Sequence, residues 1–139
     1  MNEQIPNCFY RVSAKALILD EHQKFLLAKE DNGYRDFPWG WLDFGEDPRA
    51  GIERELQEET WVKTTYIATE PAYFITVGKP EKNCRLAHVF YETKVENFEF
   101  TPSKECTELK FFSKEDAEKE LIYGQVKAFL KHFDPKNHR

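Results

Sequence analysis

Short apolar runs separated by polar turns divide most of this chain into strand-length segments. Residues 10–19 and 24–30 are two such runs, with the polar residues 20–23 between them. This spacing predicts a β-hairpin, since two apolar runs joined by a short polar turn commonly pair as antiparallel strands. Three further apolar runs predict strands at 71–78, 85–95 and 108–112, and residues 78–83 connect the first two of these.

Two segments carry apolar residues at helical spacing and begin with helix-capping side chains. Asp47 followed by Pro48 predicts the start of a helix that ends near Thr60, because Asp accepts from free N–H groups and Pro has none to lose. Ser113 precedes a second helical stretch, which is interrupted near Gly124. Strands and helices in this mixed order predict an α/β fold in which helices cover the faces of a sheet.

Residues 31–47 connect the predicted hairpin to the first helix and are rich in Gly, Pro and Asp. We interpret this segment as a long, structured loop. A loop of this length is uncommon in a small domain and is more often functional than idle. We therefore expect functional residues in this loop and in the helix that follows it.

Length and charge narrow the classes of function. The chain has 139 residues, so we expect a single domain over 1–139 with its core at about 10–133. Its net charge is −5 and no block of Lys or Arg occurs, which makes a nucleic acid polymer a poor candidate partner. An acidic protein can still bind a phosphorylated small molecule when a divalent cation lies between them.

The cysteines and the long-range hydropathy of the chain bear on its location. Cys8, Cys84 and Cys106 are odd in number and lack CxxC spacing, which predicts reduced thiols. The first residues do not place a basic segment before an apolar one, and no run of eighteen apolar residues occurs. We therefore expect a cytoplasmic protein that does not enter a membrane.

The first predicted helix carries three carboxylates beside its apolar stripe. At about 100° per residue, Ile52 and Leu56 form the buried stripe. Glu55, Glu58 and Glu59 converge on a neighbouring face. Like charges four residues apart cost about a few tenths of a kcal/mol, and a divalent cation with oxygen ligands removes that conflict. Taken alone, the three glutamates are also compatible with a solvated acidic face.

The residues before this helix favour the metal-binding interpretation. The segment FPWGWLDFGEDPRAGIERELQEETWV follows the pattern G-x5-E-x7-R-E-U-x-E-E-x-G-U, with U aliphatic, except that Trp61 replaces the second glycine. This pattern is the Nudix box, and the chain resembles the Nudix hydrolases over most of residues 10–130. The resemblance implies a Nudix-like α/β/α sandwich with a central mixed β-sheet. The matching positions are Gly40, Glu46, Arg54, Glu55, Leu56, Glu58, Glu59 and Val62.

The resemblance also implies an activity, that of a Nudix-type pyrophosphohydrolase acting on acid anhydrides. The implied reaction is the Mg²⁺- or Mn²⁺-dependent hydrolysis of a phosphoanhydride in a nucleoside diphosphate linked to another moiety. Glu55, Glu58 and Glu59 are the implied metal ligands, and the backbone carbonyl of Gly40 is a further one.

Further roles follow for the residues around these ligands. The resemblance implies that Arg54 fixes the carboxylates by ion pairing and that Glu46 ties the loop to the helix. The implied catalytic residues are Glu58, Glu59 and Arg54, with Glu58 or Glu59 activating the attacking water. A carboxylate from later in the chain is a further candidate ligand, with Glu92, Glu105 and Glu108 on an equal footing.

Tryptophans occupy three positions where similar proteins commonly carry glycine. Trp39 and Trp41 flank Gly40, and Trp61 takes the place of the glycine that would end the helix. Where such a glycine has positive φ, a tryptophan adopts that conformation only at about 1–2 kcal/mol. Two interpretations of Trp39 and Trp41 stay open: the rings fill space beneath the loop, or one of them flanks the site and stacks on a base.

The sequence does not determine the substrate. We expect a phosphorylated small molecule that is a nucleotide. A nucleoside triphosphate, a nucleotide sugar and a dinucleotide all fit this expectation. The alternative from another class is a catalytically weak Nudix domain that binds a nucleotide as a regulatory module. A monomer and a homodimer are equally compatible with the sequence. Four basic residues could bind substrate: Arg35, Lys79, Lys82 and Arg85. Each of them can equally be a solvated surface charge.

Overall fold

Two β-sheets with helices on their faces build the protein in a computed structural model, which describes residues 9–60, 62–79 and 84–138. The side chains of Trp39 and Lys79 also lie outside the described part. The elements in chain order are β1 (Phe9–Leu17), β2 (Phe25–Lys29), β3 (Arg35–Asp36), β4 (Trp39–Trp41), α1 (Pro48–Thr60), β5 (Thr64–Ile67), β6 (Tyr73–Lys79), β7 (Cys84–Val95), β8 (Glu108–Phe112), α2 (Lys114–Ala117), α3 (Gly124–His132) and a 3-10 turn (Pro135–His138).

The larger sheet is mixed. β1 lies between β4 and β7, antiparallel to β4 and parallel to β7. The parallel register extends from Phe9↔Cys84 to Leu17↔Glu92. The first part of β7 also pairs with β6 and its last part with β5, both antiparallel. The predicted central mixed sheet is thus confirmed.

The smaller sheet is antiparallel, with the order β3-β2-β8. The predicted hairpin is therefore wrong for most of its length, because β1 and β2 belong to different sheets. The turn itself forms: Leu26 N–H donates to Ile18 O, and a single bridge joins Leu19 to Phe25. Beyond this bridge the strands diverge, since both are buried between layers and take their neighbours from distant parts of the chain.

The segment 31–47 is only partly a loop, because it contains β3 and β4. β4 pairs with β1 at Ala14↔Gly40 and Ser13↔Trp41. The backbone on both sides of Gly40 is therefore extended strand. A tryptophan at these positions needs no left-handed backbone, so the strain considered for the flanking tryptophans does not arise.

Two apolar cores lie on opposite sides of the strands, and β1 contributes to both. Leu17 belongs to the core beneath α3, where the rings of Phe37, Phe90 and Phe129 pack against one another at centroid distances of 4.6–5.2 Å. Ala16 belongs to the core beneath α1. Because successive strand residues point to opposite faces, one strand serves both layers, and the predicted α/β/α sandwich is confirmed.

The helix α1 begins and ends with side-chain hydrogen bonds. Asp47 Oδ2 accepts from the backbone N–H of Arg49 at 3.0 Å and of Ala50 at 3.2 Å, which confirms the predicted cap. At the other end, Thr60 Oγ1 donates to Leu56 O at 2.6 Å and accepts from Val62 N–H at 3.2 Å. Thr60 thus satisfies backbone groups at the helix end. Trp61, which replaces the expected glycine, lies outside the described residues.

Removal of the Asp47 cap is expected to destabilise the protein modestly. Asp47→Ala leaves two N–H groups of the first turn without their acceptor and should lower the free energy of unfolding by about 1 kcal/mol. Urea unfolding measures the change. Glu53→Ala, on an exposed position of the same helix, is the matched control and should change stability by less than about 0.5 kcal/mol. Equal effects of both substitutions would contradict the capping role.

The remaining elements agree with the predictions apart from one strand. β6, β7 and β8 lie where strands were predicted, although residues 80–83 of the predicted connection are outside the described part. Ser113 Oγ accepts from Asp116 N–H at 3.2 Å, and α3 starts at Gly124, where the interruption was predicted. β5 was not predicted. Among the described residues, no helix is both long and apolar enough to cross a membrane.

Candidate active site

A single arginine links the loop before α1 to the carboxylates on it. Arg54 donates two hydrogen bonds to Glu46, from Nε to Oε2 at 2.8 Å and from Nη2 to Oε1 at 3.0 Å. Its Nη1 donates to Glu55 Oε1 at 2.8 Å and to Glu58 Oε2 at 3.2 Å. Its Nη2 also donates to Trp41 O at 3.3 Å. The guanidinium fork therefore fixes two candidate metal ligands relative to the loop.

These contacts shift the titration of both partners in the arginine–Glu46 pair. Hydrogen bonding to Arg54, followed by the backbone N–H of Asp43, lowers the pKa of Glu46 to about 2. Hydrogen bonding to Glu46 raises the pKa of Arg54 further above its ordinary value. The pair is thus ionised throughout the physiological pH range, and it holds the loop against the helix by charge-assisted hydrogen bonds.

Two glycines permit this close approach of loop and helix. A Cβ on Gly40 would lie 1.8 Å from Glu55 Cγ and 2.6 Å from Glu55 Oε1, so the Glu55 side chain occupies the space above the Gly40 backbone. A Cβ on Gly51 would lie 2.8 Å from Leu42 Cδ2. A side chain at position 40 would overlap Glu55, which accounts for the one glycine kept between the two tryptophans, and a side chain at position 51 would require Leu42 to move.

The three helix glutamates line one cavity of about 430 Å³, together with Gly40 and Glu105. Burial, then the charge of Glu105 and that of Glu55, raise the pKa of Glu59 to about 9. A shift of this size arises when several carboxylates share a poorly hydrated space. The grouping of the three helix glutamates on one face was predicted from periodicity, whereas Glu105 was one of three late-chain candidates between which the sequence did not decide.

The donor set suits a hard divalent cation. Carboxylate and carbonyl oxygens line the cavity, and such ligands are typical of Mg²⁺ or Mn²⁺ sites. Within 9–60, 62–79 and 84–138, no three acidic, histidine or cysteine side chains are already gathered as a coordination shell, since Glu55 and Glu58 are turned to Arg54. Burial and the neighbouring carboxylates both favour the protonated form of Glu59, and a cation bound here would favour its charged form. The residues present therefore fit the implied metal.

The structure separates the three late-chain carboxylates that the sequence left equal. Glu105 lines the cavity beside Glu59. Glu108 accepts from Arg35 Nη2 at 2.5 Å, and Glu92 pairs with Nδ1 of His138. Each of the last two is engaged elsewhere, so Glu105 is the late-chain residue that the fold brings to the helix glutamates.

The candidate substrate-binding residues lie in different environments. Trp41 lines the carboxylate cavity, and the guanidinium of Arg11 lies 4.1 Å from its ring centroid. Arg35 is buried, and its guanidinium forms ion pairs with Glu108 and Glu120 instead of facing the carboxylate cavity. Arg85 is exposed on β7 opposite Gly78 and does not line this cavity. Trp39 and Lys79 have side chains outside the described part, as does Lys82 entirely.

Two acidic residues of the cavity escaped the sequence interpretation. Glu30 and Asp36 come from the end of β2 and from β3, and both line the cavity opposite α1. Asp36 is buried and accepts from Lys15 Nζ at 2.9 Å. Burial raises the pKa of Glu30 above its ordinary value. Neither residue lies in the box, and only the pairing of β2 with β3 brings them to the site, so no local pattern could have identified them.

Comparison with known proteins agrees with this geometry. The family described as NUDIX domain matches residues 9–133. A curated relative, Nudix hydrolase 26, chloroplastic, of Arabidopsis thaliana, is 46% identical over 43 residues, which are 31% of this chain and 20% of that protein. The chain thus spans about one fifth of the length of that relative.

Solved structures share the fold. The MutT protein from Methanosarcina mazei Go1 superposes with a TM-score of 0.75 at 23% identity and covers 94% of this chain and 96% of its own. An ADP-ribose pyrophosphatase from Streptococcus suis 89-1591 gives a TM-score of 0.59 at 21% identity, covering 88% and 90%. With a family match over most of the chain, and a box whose three helix glutamates line one cavity, the protein belongs to the Nudix hydrolase family.

Proposed function

We propose that this protein hydrolyses a phosphoanhydride bond in a nucleoside diphosphate linked to another moiety, with a divalent cation as cofactor. The observation that carries the proposal is the cavity that Glu55, Glu58 and Glu59 line together with Glu105 and Gly40. Bound cations would offset the repulsion between these closely spaced carboxylates and would attract the phosphates of a substrate.

The metal ligands would be Glu55, Glu58, Glu59 and the Gly40 carbonyl, with Glu105 as the contribution from the later chain. A cation held by these residues would neutralise the diphosphate and would lower the pKa of water for in-line attack. Mg²⁺ is the first candidate because it keeps water ligands and is completed by phosphate oxygens, and Mn²⁺ suits the same donors.

The other residues act by holding these groups. Arg54 fixes Glu55 and Glu58 while Glu46 anchors Arg54 to the loop. Glu58 or Glu59 takes the proton of the attacking water. Glu58 is the more exposed, with its side chain 60% accessible, whereas Glu59 is half-buried. The variant that keeps metal affinity while losing turnover, Glu58→Gln or Glu59→Gln, identifies the base.

The names of the structural neighbours leave several substrates possible. One neighbour is a MutT protein and another is an ADP-ribose pyrophosphatase. A nucleoside triphosphate, a nucleotide sugar and a dinucleotide are therefore the panel with which the protein should be incubated. We propose that the cleaved molecule belongs to this panel.

Metal removal provides the test. With Mg²⁺ or Mn²⁺, the protein is expected to release phosphate, pyrophosphate or a nucleoside monophosphate from at least one panel member, and a chelator should abolish the release. Metal with nucleotide at about 100 times its dissociation constant should add about 2.7 kcal/mol of stability, seen as a raised Tm. Binding without turnover of any panel member, unchanged in Glu58→Gln and Glu59→Gln, would instead favour the regulatory module.

A further inference from the structure

β6 is an edge strand of the larger sheet. It pairs with β7 alone, in an unbroken antiparallel register from Tyr73↔Phe90 to Lys79↔Cys84. Within the described part of the chain, no backbone hydrogen bond from another element reaches residues 73–79 on the side away from β7. At seven residues, β6 is also the longest edge strand that the structure describes in either sheet. Alternate residues therefore direct backbone N–H and C=O groups outwards, where a further strand can pair with them.

The sequence of β6 does not protect this edge. Exposed edge strands are commonly blunted by proline, by charged side chains or by a bulge. Residues 73–78 contain neither proline nor a charged residue, and their regular register leaves no bulge. Aromatic and β-branched residues, which favour strand pairing, occupy most of these positions instead. The edge is therefore suited to pairing with a strand of another chain.

One face of β6 carries an exposed aromatic ring. Phe74, Thr76 and Gly78 share this face, because alternate strand residues point the same way. It is the face on which α1 packs, since Val89, the register partner of Phe74, packs against the core beneath that helix. Phe74 nevertheless remains 66% exposed. Burial of an aromatic ring is a large favourable contribution to association, so Phe74 is the main apolar contact available beside this edge.

The other end of the same face carries a cation above a glycine. Arg85 is the register partner of Gly78 and is exposed. A Cβ on Gly78 would lie 2.9 Å from Arg85 Nη1, so the guanidinium lies over this glycine. Phe74 and Gly78 are equally far from Thr76 along the strand. An antiparallel copy of β6 centred on Thr76 would therefore place Phe74 opposite Gly78 of the second copy, against the guanidinium that covers it.

We propose that β6 pairs with β6 of a second copy of this chain, antiparallel about a two-fold axis at Thr76, to give a homodimer with one continuous sheet. The axis makes the contact self-complementary, since each Phe74 meets Arg85 of the other copy. The face of each ring is electron-rich and each guanidinium is cationic, so the two surfaces are also complementary in charge. Both free edges are paired in this dimer, which stops assembly at two copies. This inference goes beyond the proposed function and does not depend on it.

The dependence of mass on concentration tests the pairing. Sedimentation velocity of wild type over about a hundredfold range of concentration should show reversible dimer formation, because two short strands bury less surface than a permanent dimer does. Phe74→Lys places a second cation against Arg85 and should weaken the dimer at least about tenfold. Addition of Arg85→Glu to this variant restores opposite charges and should recover most of the affinity. Phe44→Lys, at a fully exposed phenylalanine outside the sheets, is the control and should dimerise as wild type does.

Cross-linking tests the register. Residues directly opposite each other in an antiparallel pair have Cβ atoms about 4.5–5.5 Å apart, so Thr76→Cys should form a disulfide-linked dimer on mild oxidation. Thr101→Cys, at an exposed position outside β6, should not. A wild type that stays monomeric throughout, a dimer equally strong in Phe74→Lys, or a dimer in which position 76 does not cross-link would overturn the inference. Absence of turnover with dimer formation intact would count against the proposed function alone.

Discussion

Replacement of Glu59 by glutamine is expected to remove catalysis and to stabilise the metal-free protein at the same time. Turnover should fall at least about a hundredfold, since a carboxylate that activates water contributes about 10²–10⁴ in rate. The same residue has its pKa raised to about 9, first by burial and then by Glu105 and Glu55. A glutamine resembles the protonated acid and is neutral at every pH, so its burial beside Glu55 and Glu105 places no further charge there.

The stability effect has a definite pH dependence. The folded metal-free protein keeps the Glu59 proton up to about pH 9, whereas the unfolded chain loses it near the ordinary value of 4.5. This contribution to stability is therefore complete below about pH 4.5 and is lost as pH rises towards 9. After allowance for solvent screening, Glu59→Gln should add on the order of 1–3 kcal/mol at pH 7 and remove this part of the pH slope.

Urea unfolding in a chelator at pH 5, 7 and 8.5, beside kcat with Mg²⁺ or Mn²⁺, measures both effects. The control is Glu53→Gln, which changes an exposed glutamate of the same helix and should leave turnover and the pH slope as in wild type. Retained turnover in Glu59→Gln would remove that residue from the mechanism. An unchanged pH slope would show that the carboxylates do not share one poorly hydrated space.

The sequence predicts the helix half of the site well because the chemistry there is local. Glu55, Glu58 and Glu59 lie within five residues, so helical periodicity alone places them on one face. Asp47 marks the helix start by its own side chain, and the structure confirms it. Features that depend on neighbours a few residues away could thus be predicted from the sequence.

The other half of the site depends on strand pairing between distant segments. Glu30, Asp36 and Glu105 reach the cavity because β2 pairs with β3 and β8, and Glu105 lies shortly before β8. A single sequence contains no local signal that shows which distant strands pair. The hairpin prediction was wrong for the same reason, because it assumed that β1 and β2 pair with each other.

Loss of the buried ammonium beneath the site is expected to be the most damaging change to stability. Lys15 is fully buried on β1, and its Nζ lies 2.9 Å from Asp36 Oδ2. Burial lowers the pKa of Lys15, although Asp36 opposes this shift. Lys15→Met fits an unbranched side chain in the same space but leaves the buried carboxylate without its counter-charge. The free energy of unfolding should fall by about 3–5 kcal/mol.

The double variant Lys15→Met/Asp36→Asn separates charge from packing. An asparagine at position 36 is neutral and can still accept from Gln125 or from Phe37 N–H, which now donate to Asp36 at 2.8 and 2.7 Å. Recovery of at least half of the lost stability is therefore expected in urea unfolding. The exposed Lys119→Met is the control and should be nearly neutral.

A loss below about 1 kcal/mol in Lys15→Met, or no recovery in the double variant, would show that the charge of Asp36 is balanced in another way. The expected result has a consequence for function, because Asp36 lines the carboxylate cavity. Lys15 and Gln125 hold its carboxylate in the wall of that cavity. The double variant should therefore recover stability without recovering turnover, which would separate the folding role of this buried pair from its role in the site.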